Sequence, residues 1–247
     1  HPGAWLRQVV SRLCLDELKS ARARRETYPG PWLPEPWVNQ EPESDAILNE
    51  SMHMATMLVL ETLTPAQRVA FVLREVLDED YGDIAATMGI SADSVRQHVT
   101  RARRRLKEDR PPLSAAPMEH MALLGQLAAA MQSGDALSLQ SLLCADVVGL
   151  SDGGGKVNAA RVPIHGPQRM ARTWTGLLRL TPPGFGYAPA WVNGLPGVLG
   201  GHDGVITSVL AFGLRDGKLA RIWTVLNPDK LAHLRQRTPD FAVLQPS

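Results

Sequence analysis

Residues 81–106 read YGDIAATMGISADSVRQHVTRARRRL, and this stretch decides the fold of the N-terminal half of the chain. Its spacing predicts a short helix around Gly82–Met88, followed by a turn at Gly89. Ser91 then caps a longer helix that runs to about Leu106. A short helix, a glycine turn and a basic helix are typical of a helix-turn-helix.

The helix before this stretch has a strong start signal. Thr64 can cap it, Pro65 suits the first helical position, and Gln67 completes a capping box. Its apolar face consists of Val69, Val72, Leu73 and Val76, and a methionine-rich helix over residues 51–61 precedes it. The pattern therefore supplies the supporting helices that a helix-turn-helix needs.

The longer helix has one apolar side and one polar side. Val95, Val99, Ala102 and Leu106 fall together and are expected to pack on the preceding helices. The first turns of the polar side suit base edges and the later turns suit phosphates. We predict base contacts for Arg96 and Gln97 and phosphate contacts for Arg101, Arg103, Arg104 and Arg105, with Ser94 and Thr100 completing the DNA-binding set. The alternative is an exposed basic helix without a role in DNA binding.

Charge is unevenly distributed along the chain. The 26 basic and 25 acidic residues give a net charge of +1, which argues against a wholly basic nucleic-acid coat. Residues 26–90 nevertheless hold two basic and twelve acidic side chains, whereas residues 91–110 hold seven basic and three acidic ones. This alternation favours polyanion-facing helices separated by an acidic spacer; solvated helix faces are the plainer interpretation.

Composition excludes several classes of protein. The 247 residues, 44% of them apolar, suffice for one large domain or two ordinary ones. Two distant cysteines, Cys14 and Cys144, cannot build a disulfide framework or a cysteine-based zinc site, which suits a reducing cytoplasm. The histidines show no metal-binding spacing, and no run of about 18 apolar residues predicts a membrane helix. We therefore expect a cytoplasmic protein with no metal, no cofactor and no membrane contact.

A proline-rich segment precedes the helix-turn-helix. Four prolines fall within the nine residues 29–37, which excludes a helix there, and residues 26–50 contain no Lys or Arg. A free linker gains nothing from Trp32 and Trp37, so we expect both rings to dock on a folded surface.

The C-terminal half has the pattern of an α+β domain. A proline-rich break at residues 110–117 marks its start. Helices are predicted over 118–132, 135–143 and 168–180, strands over 146–151, 187–192, 205–214 and 218–226, and a short helix after Asn227. The last two strands are joined by Asp216-Gly217, a hairpin signal. Helices followed by a run of antiparallel strands indicate an α+β layout.

The helix-turn-helix and its flanks resemble a known family. Residues 63–71, 81–85 and 94–106 are similar to the region-four domain of an extracytoplasmic-function (group 4) bacterial sigma factor. The resemblance implies recognition of the −35 promoter element and contact with core RNA polymerase. Residues 3–25 resemble the last helix of region two, most of which is absent upstream of His1, so this chain alone is not expected to initiate transcription.

Three further strings narrow the resemblance. They are Trp32-Leu33-Pro34-Glu35-Pro36, Asp152-Gly153-Gly154-Gly155-Lys156 and Asn227-Pro228-Asp229-Lys230-Leu231. Together they resemble the sigma subfamily with a fused C-terminal SnoaL-like domain, a cone made of a curved antiparallel sheet wrapped by helices. That resemblance implies an α+β multidomain protein in which the C-terminal domain regulates sigma activity in cis.

The resemblance also implies a division into four parts. These are the remnant of region two over 1–26, an acidic proline-rich linker over 27–50, region four over 51–112 and the SnoaL-like domain over 113–247. We predict that the glycine loop at Gly153–Gly155, with Lys156, docks near the linker string or the helix-turn-helix, completed by the Asn227 string. The alternative is that the last two strings only hold the cone together.

A competing interpretation is a SnoaL-type enzyme or small-molecule sensor fused to a DNA-binding module. Some relatives of such domains use Asp or His as acid and base, and Asp146, Asp152, His165 and His202 are the candidates here. None has a spacing that demands catalysis, and Asp152 more simply caps a turn. A sigma-type transcription factor without enzymatic activity is therefore the favoured interpretation.

Overall fold

The computed structural model describes residues 9, 10, 13, 28–39, 53–109, 113, 116–234, 239 and 241–243. The chain divides into two compact units: His1–Thr27 with Ala55–Pro111, and Tyr28–Met54 with Pro112–Ser247. The segment predicted as a linker thus groups with the C-terminal unit. Of residues 3–25, which resemble the last helix of region two, only residues 9, 10 and 13 are described, and they are helical.

Four helices build the described part of the first unit. They are α1 (Met54–Thr62), α2 (Pro65–Glu75), α3 (Tyr81–Met88) and α4 (Ala92–Asp109). The predicted capping box at the start of α2 is confirmed, because the Gln67 amide donates to Thr64 Oγ1 over 3.3 Å and the Thr64 amide donates to Gln67 Oε1 over 3.0 Å. Gly89 ends α3 in the left-handed conformation that the predicted turn requires.

The core of this unit lies between α2, α3 and α4. Buried apolar side chains of the three helices meet there: Val69, Ala70, Leu73, Ile84, Ala85, Val95 and Val99. The buried positions of α4 are those that its sequence pattern predicts. Packing of this face leaves the basic side of α4 exposed.

The C-terminal unit combines three helices with one sheet. The helices are α5 (Pro117–Ser133), α6 (Ala136–Ser141) and α7 (Pro167–Leu180). The strands are β1 (Val38–Asn39), β2 (Leu143–Asp152), β3 (Ile164–His165), β4 (Gly186–Val192), β5 (Leu195–His202), β6 (Val205–Arg215), β7 (Lys218–Val225) and β8 (Ala242–Val243). The strand order is β1-β4-β5-β6-β7-β2-β3, with β8 beside β4. The predicted α+β multidomain fold is confirmed.

The core of the C-terminal unit lies between the helices and one face of the sheet. Met170, Ala171 and Trp174 of α7 pack with Phe212 and Ile222 of the central strands. All described pairings are antiparallel except that of β2 with β7, which is parallel. The carboxyl ends of β2 and β7 therefore lie side by side at the same end of the sheet.

In the C-terminal unit the structure contains three short strands that were not predicted, β1, β3 and β8, and it differs from the predicted elements at three further places. β5 was not predicted, although Asn193-Gly194, both at positive φ, joins it to β4 as a two-residue hairpin. The predicted helix over 135–143 ends at Ser141, because β2 begins at Leu143. The final predicted helix is only a turn followed by a 3-10 helix, Ala232–Leu234.

Candidate functional site

The predicted DNA-binding residues all lie on α4. Val95, Val99 and Ala102 are completely buried on its opposite side. Ser94 is half-buried, and the other predicted residues are exposed: Arg96, Gln97, Thr100, Arg101, Arg103, Arg104 and Arg105. Packing of α4 therefore presents this set to solvent, where a DNA duplex can reach it.

Arg96 is held on one flank of α4. Its Nη1 lies 2.5 Å from Oδ1 of Asp93, one turn earlier on the same helix. Its guanidinium also lies 5.4 Å from the centre of the Tyr81 ring, at the start of α3. Arg74 approaches the same ring at 5.2 Å. These contacts orient Arg96 before any DNA is bound.

The remaining arginines are not equivalent. Arg103 reaches back to α2, where its Nη2 donates to Glu75 Oε1 over 2.7 Å, and this hydrogen bond raises the pKa of Arg103. Arg104 forms only a loose, exposed pair with Glu108 at 4.0 Å. Within the described residues, Arg101 forms no ion pair. Arg101 and Arg104 are thus more available to a phosphate than Arg103 is.

Residues 28–36, which we call the linker segment, lie on the C-terminal unit. Leu33 is completely buried, and Pro34 and Pro36 are buried as well. Trp32 docks as predicted, with its ring 4.0 Å from the Lys230 ammonium. The expectation for Trp37 is wrong: its side chain is 54% exposed. An extended chain alternates its faces, and Val38, which pairs with Val192 in the sheet, takes the buried one.

Asp152 is the centre of the contacts between the linker segment and the C-terminal unit. Its side chain is completely buried. Oδ1 accepts from the Tyr28 hydroxyl over 2.5 Å and from the Gly154 amide over 3.0 Å. Oδ2 accepts from the Leu33 amide over 2.8 Å and from Lys230 Nζ over 2.7 Å. Four donors satisfy the carboxylate, so Asp152 does much more than cap a turn.

Lys230 joins the linker segment to the same carboxylate. Its Nζ also donates to the Leu33 carbonyl over 2.5 Å. The ammonium lies 4.0 Å from the centre of the Trp32 ring and 5.1 Å from that of Tyr28. Two aromatic faces, a carboxylate and a carbonyl therefore contact one half-buried cation.

Tyr28 is a member of this network that sequence reasoning missed. Besides donating to Asp152, its hydroxyl accepts from Asn227 Nδ2 over 2.8 Å. Burial, and then the hydrogen bond to Asp152, raises the pKa of Tyr28 well above its ordinary value. The only sequence signal was its place at the start of the proline-rich segment.

His233 is a second missed contact. Its Nδ1 lies 2.9 Å from the Glu35 carboxylate, and its Nε2 lies 3.1 Å from the Pro36 carbonyl. It lies two residues beyond the third string, which is the signal that could have found it. The contact fixes the C-terminal end of the linker segment.

The glycine loop packs closely against Asn227 of the third string and against Pro29 of the linker segment. A Cβ on Gly154 would lie 2.4 Å from Asn227 Nδ2, and one on Gly155 would lie 2.6 Å from Pro29 Cγ. Both glycines also have positive φ, so the backbone conformation as well as the close contact excludes a larger residue at either position. Lys156 forms an exposed ion pair with Asp229 at 2.6 Å. In the third string Leu231 is buried and Pro228 half-buried.

The structure thus brings the three strings together within one unit. Their regulatory role stays a prediction, because the contacts alone do not measure activity. The candidate acid and base residues are dispersed: Asp146 pairs with Arg215, His202 contacts Asp203, and His165 is exposed on β3. No hydrogen bond or ion pair joins any two of Asp146, Asp152, His165 and His202 in the part of the chain that the structure describes.

Two other kinds of site were searched for among the described residues. No group of His, Cys, Asp and Glu side chains there could hold a metal ion. No helix there combines the length and apolar character needed to span a bilayer.

Comparisons with known proteins agree with this architecture. The family model "Sigma-70, region 4" matches residues 53–106. ECF RNA polymerase sigma factor SigJ of Mycobacterium tuberculosis is 38% identical over 244 residues, covering 93% of this chain and 78% of the relative. Probable ECF RNA polymerase sigma factor SigI of the same organism is 32% identical, covering 94% and 79%.

A solved structure matches both parts of the chain. The crystal structure of Mycobacterium tuberculosis SigJ superposes with a TM-score of 0.70 at 34% identity, and the match covers 94% of this chain and 83% of that one. The arrangement of a helical region and an α+β domain is therefore shared with a protein of known structure.

Proposed function

The chain belongs to the ECF RNA polymerase sigma factors, and from this premise we propose that its C-terminal unit regulates promoter recognition in cis by holding the linker segment. The chain is a sigma-type transcription initiation factor, and its region-four helix-turn-helix serves recognition of the −35 element. Sigma factors in general bind core RNA polymerase and promoter DNA. Regulation in cis by the C-terminal unit is the part that we propose.

One observation carries this proposal: the buried carboxylate of Asp152 binds the linker segment and Lys230 together. Release of the segment would remove the Tyr28 hydroxyl and the Leu33 amide from Asp152. A buried acceptor that loses its donors must be resolvated or find new partners, and this opposes release. Docking is therefore a defined state that a competing partner has to disrupt.

Chain connectivity gives the docked segment a regulatory consequence. Residues 55–111 are inserted in sequence between two parts of the C-terminal unit, Tyr28–Met54 and Pro112–Ser247. With the linker segment docked and β1 paired with β4, region four is tethered to that unit at both ends; release of both leaves region four tethered at one end. A chain held at both ends has less conformational freedom. We propose that the docked state restrains α4 and that release favours binding to the −35 element.

The base and phosphate roles on α4 are part of the proposal. Gln97 and the pre-oriented Arg96 are placed to contact base edges, in the first turns of α4. Arg101, Arg104 and Arg105 follow in the later turns and are proposed to contact phosphates. The pair between Arg103 and Glu75 supports a weaker contribution from Arg103.

The experiment that tests regulation in cis uses the full chain and the variant Lys230→Gln. Hydrogen exchange of residues 28–36 reports docking, and binding to −35 duplex DNA with core RNA polymerase reports function. We expect faster exchange and tighter promoter binding in Lys230→Gln. Lys218→Gln is the matched control, because it removes an exposed lysine of the same unit that lies outside the three strings. Faster exchange with unchanged promoter binding would contradict the proposal.

A further inference from the structure

A cavity of about 450 Å³ lies beside the glycine loop. Its walls come from Pro29 of the linker segment, from Gly153, Gly155 and Lys156, and from residues 157–161; Ser151 also contributes. This volume is within the range of small-molecule sites in proteins. We call it the loop cavity.

The charge of the loop cavity is one-sided. Lys156 and Arg161 are its charged residues, and none of the described residues that line it is acidic. Arg161 is exposed and forms no ion pair in the described part of the chain. The pair between Lys156 and Asp229 is itself exposed, so it is weak and leaves the ammonium available to a competing anion.

Polar groups accompany these two cations. Ser151 and Asn158 add a hydroxyl and an amide to the lining. Hydroxyl, amide, ammonium and guanidinium groups together are the donors with which proteins bind phosphate and carboxylate groups. The chemistry of the loop cavity therefore suits a small oxyanion.

The wall formed by Pro29 connects the loop cavity to the linker segment. The backbone of Gly30 packs on that of Arg161, since a Cβ on Gly30 would lie 3.4 Å from Arg161 Cα. Gly155 packs on Pro29 more tightly, since a Cβ there would lie 2.6 Å from Pro29 Cγ. A molecule in the loop cavity thus touches the C-terminal unit and the docked linker segment together. Any ligand that binds only the docked state stabilises that state.

We propose that the loop cavity binds a small oxyanion through Arg161 and Lys156, and that the bound anion holds the linker segment in its docked state. The effect of the anion on docking rests on the proposed function, because it makes the anion the signal to which the docked state responds. The anion acts as an inhibitor: it favours the restrained state of region four. Its removal favours binding to the −35 element.

The test measures anion binding and docking separately on the full chain. Citrate and inorganic phosphate are each titrated by calorimetry at constant ionic strength. Comparison of the two titrations distinguishes a carboxylate ligand from a phosphate ligand. We expect one of them to bind, and Arg161→Ala to weaken that binding about tenfold or more. Arg169→Ala, another exposed arginine of the same unit, is the control and should bind as the unaltered chain does.

Hydrogen exchange of residues 28–36 with and without the anion reports the coupling. We expect slower exchange when the anion is bound, and no such effect in Arg161→Ala. Binding of neither anion, or equal binding by both arginine variants, overturns the proposed site. Anion binding that leaves the exchange unchanged overturns the coupling. If the bound anion slows exchange but promoter binding is unchanged, the proposed regulation in cis is wrong and the proposed anion site is retained.

Discussion

Asp152 and Lys230 form an ion pair, with Oδ2 and Nζ 2.7 Å apart, in which the Asp152 side chain is completely buried and that of Lys230 is 13% exposed. Each member also binds the main chain of Leu33. The amide of Leu33 donates to the carboxylate, and its carbonyl accepts from the ammonium. A single peptide residue of the linker segment thus completes the pair on both sides. Docking of the linker segment is therefore coupled to the ion pair between Asp152 and Lys230.

Breaking this pair should destabilise the C-terminal unit strongly. Lys230→Met leaves the completely buried Asp152 carboxylate without its partner, which costs about 3–5 kcal/mol. Asp152→Asn leaves an ammonium on a side chain that is 13% exposed, so its loss should be smaller. The double variant should lose less than the sum of the two, since neither charge remains. Urea denaturation followed by tryptophan fluorescence measures the free energies of unfolding. Additive losses would show that the two side chains act independently.

Docking of the linker segment should weaken at high pH through Tyr28. Burial and the hydrogen bond to Asp152 raise the pKa of Tyr28 above its ordinary value. The docked state therefore retains the phenolic proton, so docking is fully present below about pH 10 and is lost as the pH rises through the raised pKa. Ultraviolet titration of tyrosinate should show two late-ionising phenols, Tyr28 and Tyr187, of which Tyr28→Phe removes one.

The control for this titration is Tyr187→Phe. Burial alone raises the pKa of Tyr187, which therefore titrates late without any link to the linker segment. Tyr187→Phe should leave the pH dependence of docking intact. A Tyr28 phenol that ionises near pH 10 would contradict the network described for Asp152.

Arg96 and Arg104 should differ in what they contribute to DNA binding. Arg96→Ala should weaken binding to the −35 element more than binding to random duplex, because a base contact carries sequence information. Arg104→Ala should weaken both alike and reduce the slope of log K against log salt by about one unit. Titrations of both duplexes at several salt concentrations make the comparison. Equal losses on random DNA would refute the division of roles.

Removal of the Glu75 charge should strengthen DNA binding. Glu75→Gln breaks the 2.7 Å pair with Arg103 and frees a guanidinium for a phosphate. We expect tighter binding with a salt slope larger by about one unit. Asp83→Asn is the control, because it removes an exposed acidic charge of the same unit. Equal effects of the two substitutions would mean that net charge alone is responsible.

Local patterns predicted the first unit well. The capping box at Thr64, the turn at Gly89 and the apolar spacing of α4 each depend on residues close together in sequence. The ion pair of Arg103 with Glu75 depends on how two helices pack, and no local pattern reports it. The arginines predicted to contact phosphates therefore differ in their ion pairs, which the sequence did not indicate.

The C-terminal unit was harder to predict for a related reason. The glycine-rich sequence of β5 has little strand propensity, and pairing with both neighbours compensates for it. Asp152 has the local pattern of a turn residue, yet its donors come from residues 28, 33, 154 and 230. A role defined by distant segments has no signature at its own position.

The parallel pairing of β2 with β7 has a further consequence for how the protein tolerates change. Asp152 and Val225 are register partners, so Asp152 and Asn227 meet at one sheet edge through main-chain geometry alone. The pairing is regular from Val148 to Asp152 on β2 and from Arg221 to Val225 on β7. An insertion of one residue inside either stretch would displace its string from the other. The length of these two stretches therefore constrains the contact between the strings.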